Sequence, residues 1–164
     1  MELRDKVVVV TGGASGIGTG LCRRFREEGV RGLVIADLNG EAAAELAAEL
    51  DGTSYALDVR DESAIAAMVA ETEAEFGQID LFCSNAGILN LDGDDYWATS
   101  SNNDVWQMNW EVHVMAHIYA ARACLPGMIE RGEGHFLHTV SAAGLLTQPY
   151  TAAYATTKHA AIGF

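Results

Sequence analysis

An apolar run that ends in glycines constrains the fold of this chain more than any other feature. Val7 to Thr11 is a short β-branched run, which predicts a buried strand. Glycines follow at once, and a helical pattern then extends from Ile17 to about Gly29. A strand, a glycine-rich turn and a helix, in that order, are typical of the first unit of a parallel α/β sheet.

The same alternation continues along the whole chain. Further strands are predicted at Leu33–Asp37, Ser54–Val59, Ile79–Asn85 and Gly134–Ser141. Helices are predicted at Glu41–Leu50, Glu62–Phe76, Val105–Arg131 with a break at Pro126-Gly127, and Thr151–Phe164, while polar Asn90–Asn103 is the longest predicted loop. Because such strands are joined by right-handed crossovers, residues 1–164 are predicted to form one doubly wound α/β domain with five parallel strands.

Composition and charge exclude several classes of protein. The chain is 49% apolar and 20% charged, which is globular composition rather than the composition of a disordered segment. Its 23 acidic residues outnumber its 10 Lys and Arg residues, for a net charge of −13, so nucleic acid and anionic membrane surfaces are unfavourable partners. A phosphate-bearing ligand must therefore be held by backbone N–H groups and a helix dipole.

The cysteines and the first residues indicate a cytoplasmic protein. Cys22, Cys83 and Cys124 form no CxxC pair, which favours reduced thiols over a disulfide scaffold or structural zinc. Only four consecutive valines lie between the first charges and Thr11, too few for a secretory signal or a membrane span.

The loop between the first strand and the first helix is typical of a dinucleotide site. Asp37, nineteen residues after the last loop glycine, is predicted to end the second strand, where it can accept hydrogen bonds from ribose hydroxyls. Its charge would repel a 2′-phosphate, and Leu38 and Asn39 offer no compensating cation, which favours NAD over NADP. The alternatives are an ordinary glycine turn and a solvated acid. The predicted contacts in the loop are Gly12, Ser15, Gly16, Ile17 and Gly18.

Three residues near the end of the chain indicate proton-transfer chemistry. Tyr154 and Lys158 are four residues apart in a predicted helix, so they share one face. A phenol is a poor acid or base near neutral pH unless a nearby cation stabilises its phenolate. Ser141 is predicted to end the fifth strand, at the sheet edge where open α/β sheets bind ligands, and its hydroxyl can hydrogen-bond a substrate oxygen.

Together these motifs resemble the classical short-chain dehydrogenase/reductase family along the whole chain. The matching residues are Gly12-xxx-Gly16-x-Gly18, Asn85-Ala86-Gly87, Ser141 and Tyr154-xxx-Lys158, in order and at similar spacing. Three residues separate Gly12 from Gly16. The extended branch of the family, which includes sugar epimerases, has two residues at that point, so that branch is disfavoured. The resemblance implies a Rossmann fold that binds NAD.

The resemblance also implies a role for each site residue. Tyr154 would be the general acid/base, Lys158 would hold the nicotinamide ribose and assist the tyrosine, and Ser141 would polarise the substrate oxygen. Asn109 would hold a water in the proton relay, and Asn85 would steady the strand beside the cofactor, together with Ala86 and Gly87. For both asparagines the alternative is satisfaction of buried backbone groups. Asp58 and Val59 resemble the pair that grips adenine.

The function implied is an NAD-dependent oxidoreductase that interconverts a secondary alcohol and a ketone by hydride transfer. The alternatives are a catalytically silent NAD-binding module, and a non-redox lyase or epimerase on the same fold. An apolar or cyclic alcohol is favoured by the residues that follow the motifs, which are Leu89, Leu91, Ala143, Leu145 and Tyr150. A homodimer or homotetramer is the assembly implied.

Three further features lead to more modest expectations. His113 and His117 share a helix face, but no HExxH glutamate or evident third ligand accompanies them, which disfavours a metal site. The family resemblance implies that this helix lies at a subunit interface, so packing there is the expectation. The acidic stretch Asp92–Asp95 is predicted to be a solvated loop rather than a calcium site. The doubly wound dinucleotide fold has six strands and five are predicted, so we expect a chain with its C-terminal part missing, nearly inactive by itself.

Overall fold

Five parallel strands form one sheet in the computed structural model, which describes residues 1–93, 95 and 97–164. The order across the sheet is β3-β2-β1-β4-β5, as expected for a doubly wound fold. The strands are β1 (Val7–Thr11), β2 (Gly32–Asp37), β3 (Thr53–Ala56), β4 (Leu81–Ser84) and β5 (His135–His138). Because the chain winds outward in opposite directions from β1, a crevice opens where the carboxyl ends of β1 and β4 lie side by side.

Helices cover both faces of this sheet. They are α1 (Gly16–Glu27), α2 (Gly40–Glu49), α3 (Glu62–Phe76), α4 (Asn103–Trp110), α5 (Ala116–Arg131) and α6 (Ala152–Gly163). A π-helical segment (Glu111–Met115) joins α4 to α5, and a short 3-10 helix (Ala142–Gly144) follows β5. Among the described residues, no helix combines the length and apolar character needed to cross a membrane.

The alternation of side chains along β1 divides the core into two layers. Val7 and Val9 pack in the layer that includes residues of α3 and α5, whereas Val8 and Val10 pack in the layer that includes residues of α1 and α2. All four valines are fully buried. A strand buried on both faces requires this continuous apolar run, so the sheet is anchored at its centre by the residues that indicate it most clearly in the sequence.

Strands β3 and β5 each end three residues before the predicted position, where the neighbouring strand also ends. The last paired residues of β3 and β2 are Ala56 and Asp37, so Leu57 to Val59 lie outside the strand predicted for them. In the same way, β5 pairs with β4 alone among the described strands and ends at His138, opposite Ser84. The prediction that Ser141 ends the fifth strand is therefore wrong.

The helix break was also predicted at the wrong place. Pro126 lies inside a continuous α5, which tolerates the loss of one backbone hydrogen bond there. The irregular part of the long helical region is instead the π-helical segment, Glu111–Met115. Such segments are common at functional sites, and this one faces α6, the helix that carries Tyr154.

Candidate active site

A cleft of about 590 Å³ opens at the carboxyl edge of the sheet. It contains most of the residues that the sequence predicts for the site: Gly12, Ser15, Gly16, Ile17, Asp37, Asp58, Val59, Asn85, Ala86, Gly87, Tyr154 and Lys158. The fold thus brings together the glycine loop, the end of β2, the loop after β4 and the face of α6. Gly18, Asn109 and Ser141 do not line this cleft.

The glycine loop is shaped by close backbone contacts. Gly12 has a φ of +61°, and a Cβ atom there would lie 2.7 Å from the Cα of Ala86. A Cβ atom on Gly18 would lie 2.0 Å from the carbonyl oxygen of Gly12, so Gly18 lets α1 pack against the loop without reaching the cleft itself. The loop therefore presents backbone and the start of α1 to the cleft, as an anion-binding turn requires.

Asp37 links the loop to the end of β2. One carboxylate oxygen accepts a hydrogen bond from the backbone N–H of Ala14 at 3.0 Å, and the other accepts from that of Asn39 at 2.9 Å. These bonds fix the carboxylate at the side of the cleft that also contains Leu38. A fixed negative charge beside the glycine loop is suited to hydrogen-bonding hydroxyl groups and disfavours a further phosphate.

Asn85 connects the glycine loop to α6. Its side-chain amide donates to the carbonyl oxygens of Thr11 and Gly12, each at 3.1 Å. Its amide oxygen accepts from the hydroxyl of Thr139 at 2.9 Å. The carbonyl oxygen of Thr139 in turn accepts from Nζ of Lys158 at 2.9 Å. These hydrogen bonds fix the amine of Lys158 relative to the ends of β1 and β4. Thr139 takes part in them, although the sequence motifs do not identify it.

Lys158 is almost completely buried, with 3% of its surface exposed. Burial lowers the pKa of its amine, and Nζ lies 5.7 Å from the ring centroid of Tyr154, which is half-buried in the same cleft. No ion pair joins Lys158 to a carboxylate among the described residues. Because a buried amine without a counter-ion is costly, its presence in a cleft indicates a functional role.

Arg60 is a cleft residue that the sequence analysis did not identify. Its guanidinium donates to both carboxylate oxygens of Asp58, at distances of 2.6–3.0 Å. This side-chain hydrogen bonding lowers the pKa of Asp58. Asp58 and Arg60 therefore enter the cleft as a paired unit, about a third and two-fifths exposed respectively, rather than as the single acid expected from the motif.

Ser141 and Asn109 do not line the cleft, although their neighbours Val140 and Met108 do, and their catalytic roles stay predictions. Ser141 precedes the 3-10 helix, and its hydroxyl oxygen accepts a hydrogen bond from the N–H of Ala143 at 3.1 Å. Asn109 is fully buried, and its amide donates to the carbonyl of Val105 at 2.8 Å and to Asn90 at 3.0 Å. The contact with Val105 fits the alternative, in which a buried asparagine satisfies a backbone group, whereas the contact with Asn90 is to a side chain and Oδ1 of Asn109 has no hydrogen-bond partner among the described residues.

The two histidines of the long helical region pack inside the chain. His113 is 0% and His117 is 1% exposed, so the expectation that they lie at a subunit interface does not fit their burial. His113 contacts Thr157 of α6, and burial lowers its pKa to about 4. His117 lies one turn further along, and neither of its ring nitrogens has a partner among the described residues.

Asp92 is buried, contrary to the prediction of a solvated acidic loop. Its carboxylate accepts a hydrogen bond at 2.9 Å from the N–H of Ala152, the first residue of α6, and its own N–H donates to the carbonyl of Tyr150 at 2.8 Å. A carboxylate at a helix N-terminus satisfies a free N–H group and complements the helix dipole. Asp94, in the same predicted loop, lies outside the described residues.

Replacing Asp92 by Ala should lower the free energy of unfolding by about 1–3 kcal/mol, because the N–H of Ala152 loses its buried acceptor. Asp92→Asn is the matched control, since its amide oxygen can still accept that bond and its loss should be smaller. Urea denaturation of the three proteins measures the difference. Equal stability of wild type and Asp92→Ala would contradict the capping role.

Comparison with known proteins identifies a family for this chain. The family model for short chain dehydrogenase matches residues 6–164. The chain is 36% identical over 166 residues to 1-deoxy-11-beta-hydroxypentalenate dehydrogenase of Streptomyces exfoliatus, covering 98% of this chain and 59% of that protein. It is 34% identical to 2-dehydro-3-deoxy-L-rhamnonate dehydrogenase (NAD(+)) of a Sphingomonas species, covering 97% of this chain and 63% of that protein.

A solved structure has the same fold. A short chain dehydrogenase/reductase from Burkholderia phymatum, in complex with NAD, superposes with a TM-score of 0.91 at 30% identity, covering 99% of this chain and 58% of that one. The chain thus spans about three-fifths of the length of these relatives. With a family match across nearly all of its residues and the fold of that structure, the chain belongs to the short chain dehydrogenase family.

Proposed function

We propose that the intact protein is an NAD-dependent oxidoreductase that interconverts a secondary alcohol and a ketone. The observation that carries this proposal is the position of Tyr154 and Lys158 in the same cleft as the glycine loop and Asp37. Support for NAD comes from two relatives, since one carries NAD(+) in its name and another was solved with NAD. An acid/base pair beside a dinucleotide turn fits a dehydrogenase better than a plain binding module.

The residues of the cleft fit NAD. The backbone at Gly12 would bring the loop close to the pyrophosphate, the first turn of α1 would complement its charge, and the Asp37 carboxylate would accept bonds from the adenosine ribose. The Asp58–Arg60 pair lines the same cleft and would flank the adenine. When bound, the nicotinamide supplies the hydride acceptor or donor for the reaction.

Proton transfer would fall to Tyr154. Its phenolic Oη would take the hydroxyl proton of an alcohol, or return a proton to a ketone oxygen. The ammonium of Lys158 would stabilise the phenolate electrostatically and hold the nicotinamide ribose. Ser141, as proposed from the family pattern, would donate a hydrogen bond to the substrate oxygen once substrate is bound.

The substrate we propose is an apolar or cyclic secondary alcohol. Apolar side chains from the loop after β4, the α4 region and the segment after β5 line the same cleft as Tyr154, and they are Ile88, Leu89, Met108, Val112 and Val140. Such a wall would favour a hydrophobic ring over a charged or strongly polar substrate. Of the residues chosen from the sequence for this wall, Leu89 lines the cleft, whereas Leu91, Leu145 and Tyr150 are exposed and Ala143 is buried outside it.

The test is turnover by the intact protein. Incubation with NAD and a panel of cyclic, linear and charged alcohols, followed at the NADH absorbance band, should give activity with members of the cyclic apolar group. NAD binding without any reduction across the panel would favour the catalytically silent module. Conversion of a substrate without a change at the NADH band would favour a lyase or epimerase. The cytoplasmic location and the homodimer or homotetramer remain expectations, the latter measurable by light scattering.

We expect NAD to bind at least tenfold more tightly than NADP, because the Asp37 carboxylate would repel a 2′-phosphate. Tenfold corresponds to about 1.4 kcal/mol, within the range of one charge contact. Asp37→Asn removes the charge and keeps one acceptor oxygen for the N–H of Ala14 or of Asn39, so it should narrow the ratio, and urea denaturation checks that the variant is folded. Calorimetric titration of both cofactors into the intact protein measures the ratio. Equal constants for wild type would refute the assignment.

A further inference from the structure

His113 is the one residue of the π-helical segment that bonds directly to both the loop after β4 and the catalytic helix among the described residues. Its Nε2 lies 3.1 Å from the backbone nitrogen of Ile88, and its Nδ1 lies 2.9 Å from the hydroxyl oxygen of Thr157. Thr157 is 44 residues away in sequence and immediately precedes Lys158. The ring is fully buried, so these two bonds are made without competition from water.

The partners determine which nitrogen of the ring carries the proton. The N–H of Ile88 can only donate, so Nε2 must be the acceptor and the hydrogen must lie on Nδ1. Nδ1–H then donates to the hydroxyl of Thr157, whose single hydrogen is directed at the carbonyl oxygens of Ala153 and Tyr154, 2.9 and 3.0 Å away. The donor and the acceptor are thus fixed for each hydrogen bond that His113 makes, so its ring is held as a single neutral tautomer.

The ring also touches the reacting side of the cleft. It packs edge to face against Tyr154, with ring centroids 5.3 Å apart. A Cβ atom placed on Gly87 would lie 3.6 Å from Nε2 of His113 and 3.7 Å from Nζ of Lys158, so the imidazole and the amine flank the same point of the loop. His113 therefore lies buried between the loop after β4 and α6, the two elements that bring Gly87, Tyr154 and Lys158 to the cleft.

We propose that His113 is a positioning residue, whose neutral imidazole fixes the Gly87–Ile88 wall of the cleft relative to Tyr154 and Lys158. This proposal rests on the proposed function of that pair. Both ring nitrogens are occupied by protein partners, so His113 neither transfers a proton to substrate nor binds a metal ion. Side chains that transfer protons need to be held within about 0.5 Å of their working position. The hydrogen bonds of His113 to Ile88 on one side and Thr157 on the other provide such a constraint.

The position was not predictable from the family motif as read in the sequence. The helix asparagine of the motif was assigned to Asn109, which lies one turn earlier and bonds to Val105 and Asn90 instead. His113 makes the contacts that join this helical region to the loop and to α6. The sequence signal available was the pair His113 and His117, which indicated packing but not the partners.

Three variants of the intact protein test the proposal. His113→Phe keeps a ring of similar size but loses both bonds and leaves the N–H of Ile88 unsatisfied. His113→Gln restores an amide oxygen and an amide N–H at about the separation of the two ring nitrogens, so it can make both bonds. His117→Phe is the matched control, because it also replaces a buried histidine of the same helical region, but one whose ring nitrogens have no described partner.

For His113→Phe we expect kcat to fall at least tenfold while the dissociation constant of NAD changes less than threefold, because the glycine loop and Asp37 are untouched. His113→Gln should recover most of the lost kcat, and His117→Phe should retain wild-type kcat. Urea denaturation checks that the variants are folded. Wild-type kcat in a folded His113→Phe, or an equal loss of kcat in folded His113→Gln and His113→Phe, would overturn the proposal.

A second measurement does not depend on turnover. In nitrogen-15-labelled protein, the ring resonances of His113 should show hydrogen on Nδ1 alone between about pH 6 and 8, a range that includes the ordinary histidine pKa of about 6.5. His113→Phe should shift the backbone amide resonances of both Ile88 and Thr157. Hydrogen on Nε2, or a shift of only one of these two amide resonances, would refute the proposal that His113 links the loop after β4 to α6. If no alcohol is oxidised but these spectra are as expected, the proposed function fails and the positioning contact stands.

Discussion

Tyr154→Phe should lose at least nine-tenths of kcat while binding NAD with nearly the wild-type affinity. The phenyl ring can keep the edge-to-face contact with His113, so the substitution removes only the hydroxyl that is proposed to carry the proton. A tenfold loss corresponds to about 1.4 kcal/mol of transition-state free energy, and general acid/base groups typically contribute more. Steady-state turnover and calorimetric binding of NAD, both on the intact protein, separate the two properties.

Tyr119→Phe is the matched control, because Tyr119 lies on α5 and packs against the core rather than in the cleft. It should leave kcat unchanged. If Tyr154→Phe kept more than a tenth of wild-type turnover, less than about 1.4 kcal/mol would depend on the hydroxyl, and another acid would have to supply the proton.

Lys158→Met should damage both turnover and NAD binding, which distinguishes it from Tyr154→Phe. The apolar chain of Met can still fill the buried site, but it has no amine to donate to Thr139, to stabilise a phenolate or to hold a ribose. We expect kcat to fall by at least tenfold, and the dissociation constant of NAD to rise by a similar factor, about 1.4 kcal/mol each.

Lys6→Met is the control for that substitution, since Lys6 is the other lysine of the chain and pairs with Asp80 and Glu133 away from the cleft. It should leave both constants unchanged. A Lys158→Met protein that binds NAD normally would show that the amine does not hold the ribose, and only its effect on Tyr154 would remain.

Local pattern was sufficient for the architecture. A β-branched run such as Val7 to Thr11 has a recognisable composition, and the glycines after it are required by contacts such as that between Gly12 and Ala86. The five strands, their alternation with helices and the family resemblance are confirmed by the sheet and by the match over residues 6–164. Spacing on one helix was likewise enough to place Tyr154 and Lys158 in the same cleft.

The ends of the strands and the contacts of buried polar side chains depend on partners far away in the sequence. Ser141 lies outside β5 because β4, on which β5 depends for pairing, ends at Ser84. Asp92 is buried because its acceptor oxygen meets the N–H of Ala152, 60 residues later. Neither fact can be obtained from a window of a few residues, since each depends on where another segment stops or begins.

The sequence by itself thus determined the fold class, the glycine loop with Asp37, and the pairing of Tyr154 with Lys158. Only the tertiary structure placed His113 between Ile88 and Thr157, joined Asp58 to Arg60 in the cleft, and left Asn109 and Ser141 outside the set of residues that line it. The physical reason is the range of the forces involved. Apolar periodicity and turn chemistry act between near neighbours in the chain, whereas a buried polar side chain must be satisfied by whatever donor or acceptor the packed fold brings to it.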